Sequence, residues 1–226
     1  PGPSNPHRLS IYPSTSKGPI KSRLIFPNLR SLLFVDCKYG QQLDLDGSSL
    51  KFLLSKLLRV LDLGEMHCLY FPREVLFLVH LRYLRINWNF GQIPSALANL
   101  SRLETLAVGG SLVRTIFLLP NAIWNMKTLK HLVVFPHYRV GGLEFPMDNV
   151  EGSPDLEHLE TLCLVIDPSS QGQSLQKILS KLPSIRRLTC ANGNDNWHSE
   201  ASAGNHNGIL VLDYLSHLES LEMVGF

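Results

Sequence analysis

Across 226 residues, 21 basic and 19 acidic side chains leave a formal net charge of +2, too little for an electrostatic case for nucleic acid or an anionic membrane. No apolar run reaches the roughly 18 residues needed to span a bilayer, and the opening Pro1-Gly2-Pro3-Ser4-Asn5-Pro6 is unlike a signal peptide. Four cysteines supply neither a pairing framework nor metal-ligand spacing, and reduced structural thiols are the expectation, as suits a cytoplasmic protein.

Residues 1–25 are rich in Pro, Ser and Lys and read as a junction, in which His7-Arg8-Leu9-Ser10-Ile11 is a candidate irregular first strand. From residue 26 onward one pattern recurs eight times: leucine, two residues, leucine, one residue, apolar. The units open at Leu29, Leu58, Leu81, Leu103, Leu129, Leu159, Ile185 and Leu218. Their spacing runs from about 22 to about 33 residues, which brackets the leucine-rich-repeat period. Residues two apart on a strand point the same way, so Leu61 and Leu63 face inward while Asp62 faces out. One unit cannot bury its own apolar face, and stacking neighbours closes a continuous core.

Between these strands the chain repeats itself again. Phe71-Pro72 through Leu81 aligns without gaps on Ile93-Pro94 through Leu103 and on Leu119-Pro120 through Leu129. Proline lacks an N–H that would be unpaired in a first helical turn, so these segments predict short helical or 3₁₀ turns on the outer curve. Short helices are expected over 48–57, behind Ser48 or Ser49 as N-cap, and over 174–182, which Pro183 stops. Ala191 to Gly208 has almost no apolar residues and reads as an exposed loop. No polar capping repeat follows Met223, so the array is expected to continue beyond Phe226. The predicted fold is an α/β leucine-rich-repeat solenoid of about eight repeats over 26–226, curved, with one parallel sheet on the concave face. Short helices, 3₁₀ turns and loops make the convex face.

No chemistry for catalysis is visible: the nine histidines are scattered, and neither a Gly-x-Ser-x-Gly elbow nor a Cys/His constellation occurs. A binding module is predicted rather than an enzyme, with no cofactor of its own. Its contacts belong on the outward positions of the strands. The first such row reads Arg30, Arg59, Arg82, Glu104, Lys130, Glu160, Arg186, Glu219, and from Arg82 onward its signs alternate. Tyr83, Arg85 and Trp88 are expected to project from one repeat beside Arg59 and Asp62, with Asp62 paired to Arg85. Exposed Trp, Tyr and Arg are the types enriched at interface hot spots. Arg186 and Arg187 form a second candidate patch.

Several phrases resemble one family. His7-Arg8-Leu9-Ser10-Ile11, Asn28-Leu29-Arg30-Ser31-Leu32-Leu33-Phe34, Leu57-Leu58-Arg59-Val60-Leu61-Asp62-Leu63 and Leu78-Val79-His80-Leu81-Arg82-Tyr83-Leu84 are similar to the repeat domain of plant intracellular nucleotide-binding, leucine-rich-repeat immune receptors. The coiled-coil, late-blight type of solanaceous plants is the subgroup resembled. The resemblance covers nearly the whole chain and is strongest before residue 135. It implies sensing of a pathogen effector, directly or through a guarded host protein, and restraint of an intramolecular nucleotide-binding module. The ADP or ATP site of the family would lie in that module, because no Gly-x-x-x-x-Gly-Lys-Ser/Thr loop occurs here. Met66-His67-Cys68, superficially like the family's Met-His-Asp motif, is expected in a repeat turn.

Two other classes remain open from the residues alone. Gly91-Gln92-Ile93-Pro94 and the sequon Asn99-Leu100-Ser101 suit an extracellular repeat receptor or inhibitor, against which stand uneven periods and the lack of paired cap cysteines. A substrate-recognition domain of a ubiquitin ligase is the third.

Overall fold

The computed structural model describes residues 6–12, 26–35, 55–90, 92–109, 116–134, 142–146, 150–166, 172–192 and 215–224. Among these residues eleven strands form in chain order: β1 Arg8–Ile11, β2 Ser31–Phe34, β3 Val60–Tyr70, β4 Tyr83–Phe90, β5 Thr105–Gly109 and β6 Ile116–Leu118. They continue as β7 His131–Val134, β8 Gly142–Glu144, β9 Thr161–Ile166, β10 Arg187–Asn192 and β11 Ser220–Val224, and among the described residues one α-helix, α1, forms at Gly172–Leu179. Nine strands make a single sheet in the order β1-β2-β3-β4-β5-β7-β9-β10-β11. Every pairing is parallel. A first strand at Arg8–Ile11, a long parallel sheet running through the repeats and a helix overlapping 174–182 are all present.

Register aligns leucine on leucine. Leu9, Leu32, Leu61, Leu84, Leu106, Leu132, Leu162, Leu188 and Leu221 are successive ladder partners. The seven from Leu32 to Leu188 are buried. Each such side chain withdrawn from water stabilises the array by about 1.5–3 kcal/mol. The row weakens at both ends: Leu9 of β1 is only partly buried, and Leu221 and Met223 of β11 are 42% and 43% exposed.

Backbone bonds continue the ladder one residue ahead of the strands. The amide of Arg59 donates to the carbonyl of Arg30, Arg82 to Arg59, Glu104 to Arg82, Lys130 to Glu104, Glu160 to Lys130, Arg186 to Glu160 and Glu219 to Arg186. A one-residue slip would break this row and turn every leucine to solvent. Side chains add stitches between repeats: the Ser55 hydroxyl donates to the Pro27 carbonyl at 2.8 Å, and Thr128 to the carbonyls of Ser101 and Leu103, both at 2.9 Å.

On the convex side, 3₁₀ turns follow the three prolines at Arg73–Phe77, Ser95–Asn99 and Asn121–Asn125. Their apolar positions Val75, Leu97 and Ile123 are buried. Of the helix expected over 48–57, Ser55, Lys56 and Leu57 lie at the turn before β3, and residues 48–54 lie outside the described residues, as do Cys37 and most of the segment 191–208.

Three features depart from the sequence expectation. Strand β3 runs eleven residues, so Met66-His67-Cys68 lies in strand rather than in a repeat turn, with Met66 and Cys68 buried. Its register with β4 shifts between Leu63 and Cys68, after which Cys68 pairs with Trp88 and Tyr70 with Phe90. A second, two-stranded parallel sheet, β6 with β8, is also formed. Third, Trp88 is inside.

Candidate binding face

Outward residues of the sheet form two rows on the concave face. The first runs Arg8, Ser31, Val60, Tyr83, Thr105, His131, Thr161, Arg187, Ser220. Beside it run Ser10, Leu33, Asp62, Arg85, Ala107 and Val133, followed on the later strands by Cys163, Thr189 and Glu222. Strand spacing of about 4.8 Å sets the distance between neighbours along a row.

The expected cluster forms in part. Asp62 and Arg85 are ladder partners, and the Arg85 guanidinium lies 3.7 Å from the Asp62 carboxylate. That carboxylate also accepts from the Gly64 amide at 2.9 Å, which holds its orientation. Glycine at position 64 leaves room for the Arg85 guanidinium, which a Cβ there would displace at Nε. Tyr83 stands two residues from Arg85 on the same face and is half-buried. Burial, aided by the Asp62 charge and opposed by Arg85, raises its phenol above the ordinary tyrosine range, so it remains a neutral hydrogen-bonding group.

Trp88 does not belong to that cluster, which corrects the expectation. Its indole is fully buried, edge-on to Phe71 at 5.4 Å between ring centroids and tilted against Phe117 at 4.5 Å. The reason is parity: β4 continues through Phe90, so Trp88 shares the inward side with Leu84 and Ile86. Hot-spot chemistry at this end of the sheet therefore rests on Tyr83, Arg85, Asp62 and the arginines alongside.

Those arginines occupy the row at the strand entrances. Arg30, Arg59 and Arg82 are all exposed and stand on three successive repeats. Arg82 is drawn to Glu104 at 3.0 Å, the first acid in the row. Among the described residues no carboxylate pairs with Arg30 or Arg59. Toward the other end the same row neutralises itself, and Arg186 forms an ion pair with Glu219. Arg187 is exposed on the concave face, four strands along the sheet from Tyr83, about 19 Å at 4.8 Å per strand. The Arg186 and Arg187 patch is thus separate from the Tyr83 cluster.

Some concave residues went unmarked by sequence reasoning. Thr105, His131 and Thr161 continue the Tyr83 row, and His131 Nδ1 lies 3.1 Å from the Thr161 hydroxyl. Their signal was available, since each directly precedes an inward leucine as Tyr83 does. Among the described residues the cysteines contribute no reactive group: burial pushes the thiols of Cys68 and Cys190 up to about 12 and raises that of Cys163. Among the described residues no group of His, Cys, Asp and Glu is placed to hold a metal. No helix there is long and apolar enough to cross a membrane.

A leucine-row core under one parallel sheet, with variable side chains on its open face, defines a leucine-rich-repeat solenoid. The family model described as a leucine-rich repeat region matches residues 28–226, and the chain belongs to that family. Among curated proteins it is similar to late blight resistance protein R1-A of Solanum demissum, 34% identical over 138 residues, which is 60% of this chain and 10% of that protein. The putative late blight resistance protein homologs R1B-16 and R1B-14 of the same species are 35% and 34% identical over 136 and 145 residues, 60% and 63% of this chain and 10% of each relative. The chain spans about a tenth of the length of the relatives it matches.

Proposed function

We propose that this chain is the repeat domain of a plant disease-resistance receptor of the cytoplasm, which senses a pathogen effector, directly or through a guarded host protein. In the resting state it restrains the receptor's nucleotide-binding module, where ADP or ATP would be held. Similarity to late blight resistance proteins supports the class of receptor. The observation that carries the reading of the surface is the charge imbalance along the strand entrances, where Arg30 and Arg59 stand exposed beside the Asp62, Tyr83 and Arg85 cluster.

Like charges on adjacent strands repel, so such a stack gains when an acidic surface covers it. Tyr83 adds a rigid, amphipathic contact and Arg85 a fork for carboxylates, both groups typical of interface hot spots. Arg187, next to the self-neutralised Arg186, is a weaker second contact.

The test is Tyr83→Ala combined with Arg85→Glu in the full-length protein, expressed in leaf tissue. Both side chains lie outside the leucine row, so accumulation is expected to match wild type. Cell death without a pathogen would mark lost restraint, and failed recognition with a silent resting state would mark a lost ligand contact. Wild-type behaviour in both assays, at confirmed expression, would sink the reading.

A further inference from the structure

The repeat's own pattern marks an exception on the outer edge of the solenoid. In the three gap-free segments ending at Leu81, Leu103 and Leu129, the seventh position is Phe77, Asn99 and Asn125, and the ninth is Val79, Ser101 and Lys127. All three segments carry the same 3₁₀ turn, so these positions are structurally equivalent. Asn99, Ser101, Asn125 and Lys127 are polar side chains on the outer surface, as that position requires. Phe77 is 77% exposed and Val79 51% exposed at the same places.

The preceding turn extends the patch. Leu57, 43% exposed, occupies the place that His80 and Arg102 hold in the next two repeats. Backbone bonds from Arg59 to Arg30 and from Arg82 to Arg59 keep these turns stacked at strand spacing. Single exposed apolar residues are ordinary on a protein surface. Three on neighbouring turns, each replacing a polar counterpart, are not accounted for by the repeat.

Cations flank them. Lys56 stands in the place equivalent to Val79, one repeat earlier, and Arg102 in the place of His80, one repeat later. Both are exposed, as is Arg73 at the head of the 3₁₀ turn, and among the described residues no carboxylate pairs with any of the three. Arg102 points instead to His80, 3.4 Å from Nδ1. Glu74, partly buried, lies one 3₁₀ turn before Phe77 and leaves the surround net positive.

We infer that Leu57, Phe77 and Val79 are the apolar centre of a docking patch for an amphipathic helix of a partner protein, one that carries Asp or Glu beside its apolar stripe. Helical side chains three and four residues apart lie about 5–6 Å from each other, close to the roughly 4.8 Å between stacked repeats. A helix laid along the axis of the array therefore sets successive apolar anchors on successive turns. Its acidic flanks meet Lys56, Arg73 and Arg102, which discriminates against a basic helix. This face is distinct from the concave surface, and both can be occupied together.

The probe is a synthetic helical peptide with Leu at i, i+3, i+4 and i+7 and Glu beside them, titrated against the 226-residue chain, with the Lys-flanked peptide as comparison. The double variant Phe77→Asn with Val79→Ser installs the side chains of the next repeat, so its melting curve is expected to match wild type. Preference for the Glu peptide, weakened by salt and at least about tenfold in the double variant, supports the patch. Equal binding by variant and wild type, failure of the Glu peptide to bind, or preference for the Lys peptide overturns it. Wild-type dimers in light scattering that the double variant abolishes would assign the face to a second copy and overturn the helix. Vesicles of phosphatidylserine and phosphatidylcholine captured only by wild type would overturn it in favour of a lipid surface.

Discussion

The first five strands and the last three use the same leucine row to different ends. Across these first five strands the inner row is buried from Leu32 onward, and Trp88 packs between Phe71 and Phe117 behind it. The outer side there is left electrostatically unbalanced, with Arg30 and Arg59 unopposed by any described carboxylate. From β9 to β11 the pattern inverts: the surface charges compensate each other through Arg186 and Glu219, while the inner row opens to solvent at Leu221 and Met223. A repeat array thus separates what stabilises it from what it displays, because inward and outward positions alternate along each strand.

The comparison breaks most violently if the sealed row is charged. Leu106→Asp places a carboxylate where the side chain is fully buried. The lost burial and the desolvation of the charge together exceed about 4 kcal/mol, enough to abolish the cooperative transition. A circular-dichroism melt unchanged by the substitution would contradict the core. By contrast Leu221→Asp, at the open end of the same row, is expected to cost far less.

Next in size is Trp88→Ala, expected to lower stability by about 3–5 kcal/mol because the indole fills the space between two aromatic rings. Denaturant melts should show a displaced midpoint. A neutral result would return Trp88 to the surface.

Gly64→Ala separates surface from core. A methyl group there collides with Arg85 and must push its flexible side chain off Asp62. Stability should fall by about 1 kcal/mol or less, while any activity that depends on the Arg85 position should fall as in Arg85→Glu. Loss of folding, or full activity, would each contradict that account.

Charge pairs and thiols come last. Arg82→Ala and Arg186→Ala each remove one half of an exposed pair and should change stability by under about 1 kcal/mol. The buried thiols give a pH signature. Cys68 and Cys190 keep their protons to about pH 12 when folded but release them from about 9 when unfolded. Between those values the unfolded chain binds fewer protons, so stability is retained below about pH 9 and declines as pH rises above it. Native-state alkylation at about pH 8, below the ordinary thiol range, should be slow at both residues. Fast labelling would refute their burial.

Much of this is legible without coordinates. The leucine spacing, the proline-led turns and the Asp62 and Arg85 pair all follow from local periodicity, which needs no knowledge of what packs against it. Trp88 is the exception: alternation from Leu84 and Ile86 assigns it inward, but only if the strand continues past Ile86, and a short repeat strand ordinarily yields to a turn there. Phe77 and Val79 stand as apolar residues in polar columns of the aligned segments. A repeat is recognised by where its copies agree, so such exceptions gain meaning only once the turns are stacked side by side.

What the chain's own pattern settled was the parallel sheet and which leucines it buries, since a two-residue period and a recurring unit permit few other ways to hide the apolar side. Contacts between repeats settled the remainder. The register shift between Leu63 and Cys68, the pairing of β6 with β8, and the closure of Phe71 and Phe117 over Trp88 join segments from different repeats. Such pairings depend on the shape left between neighbouring units, and shape between units carries no period along the chain.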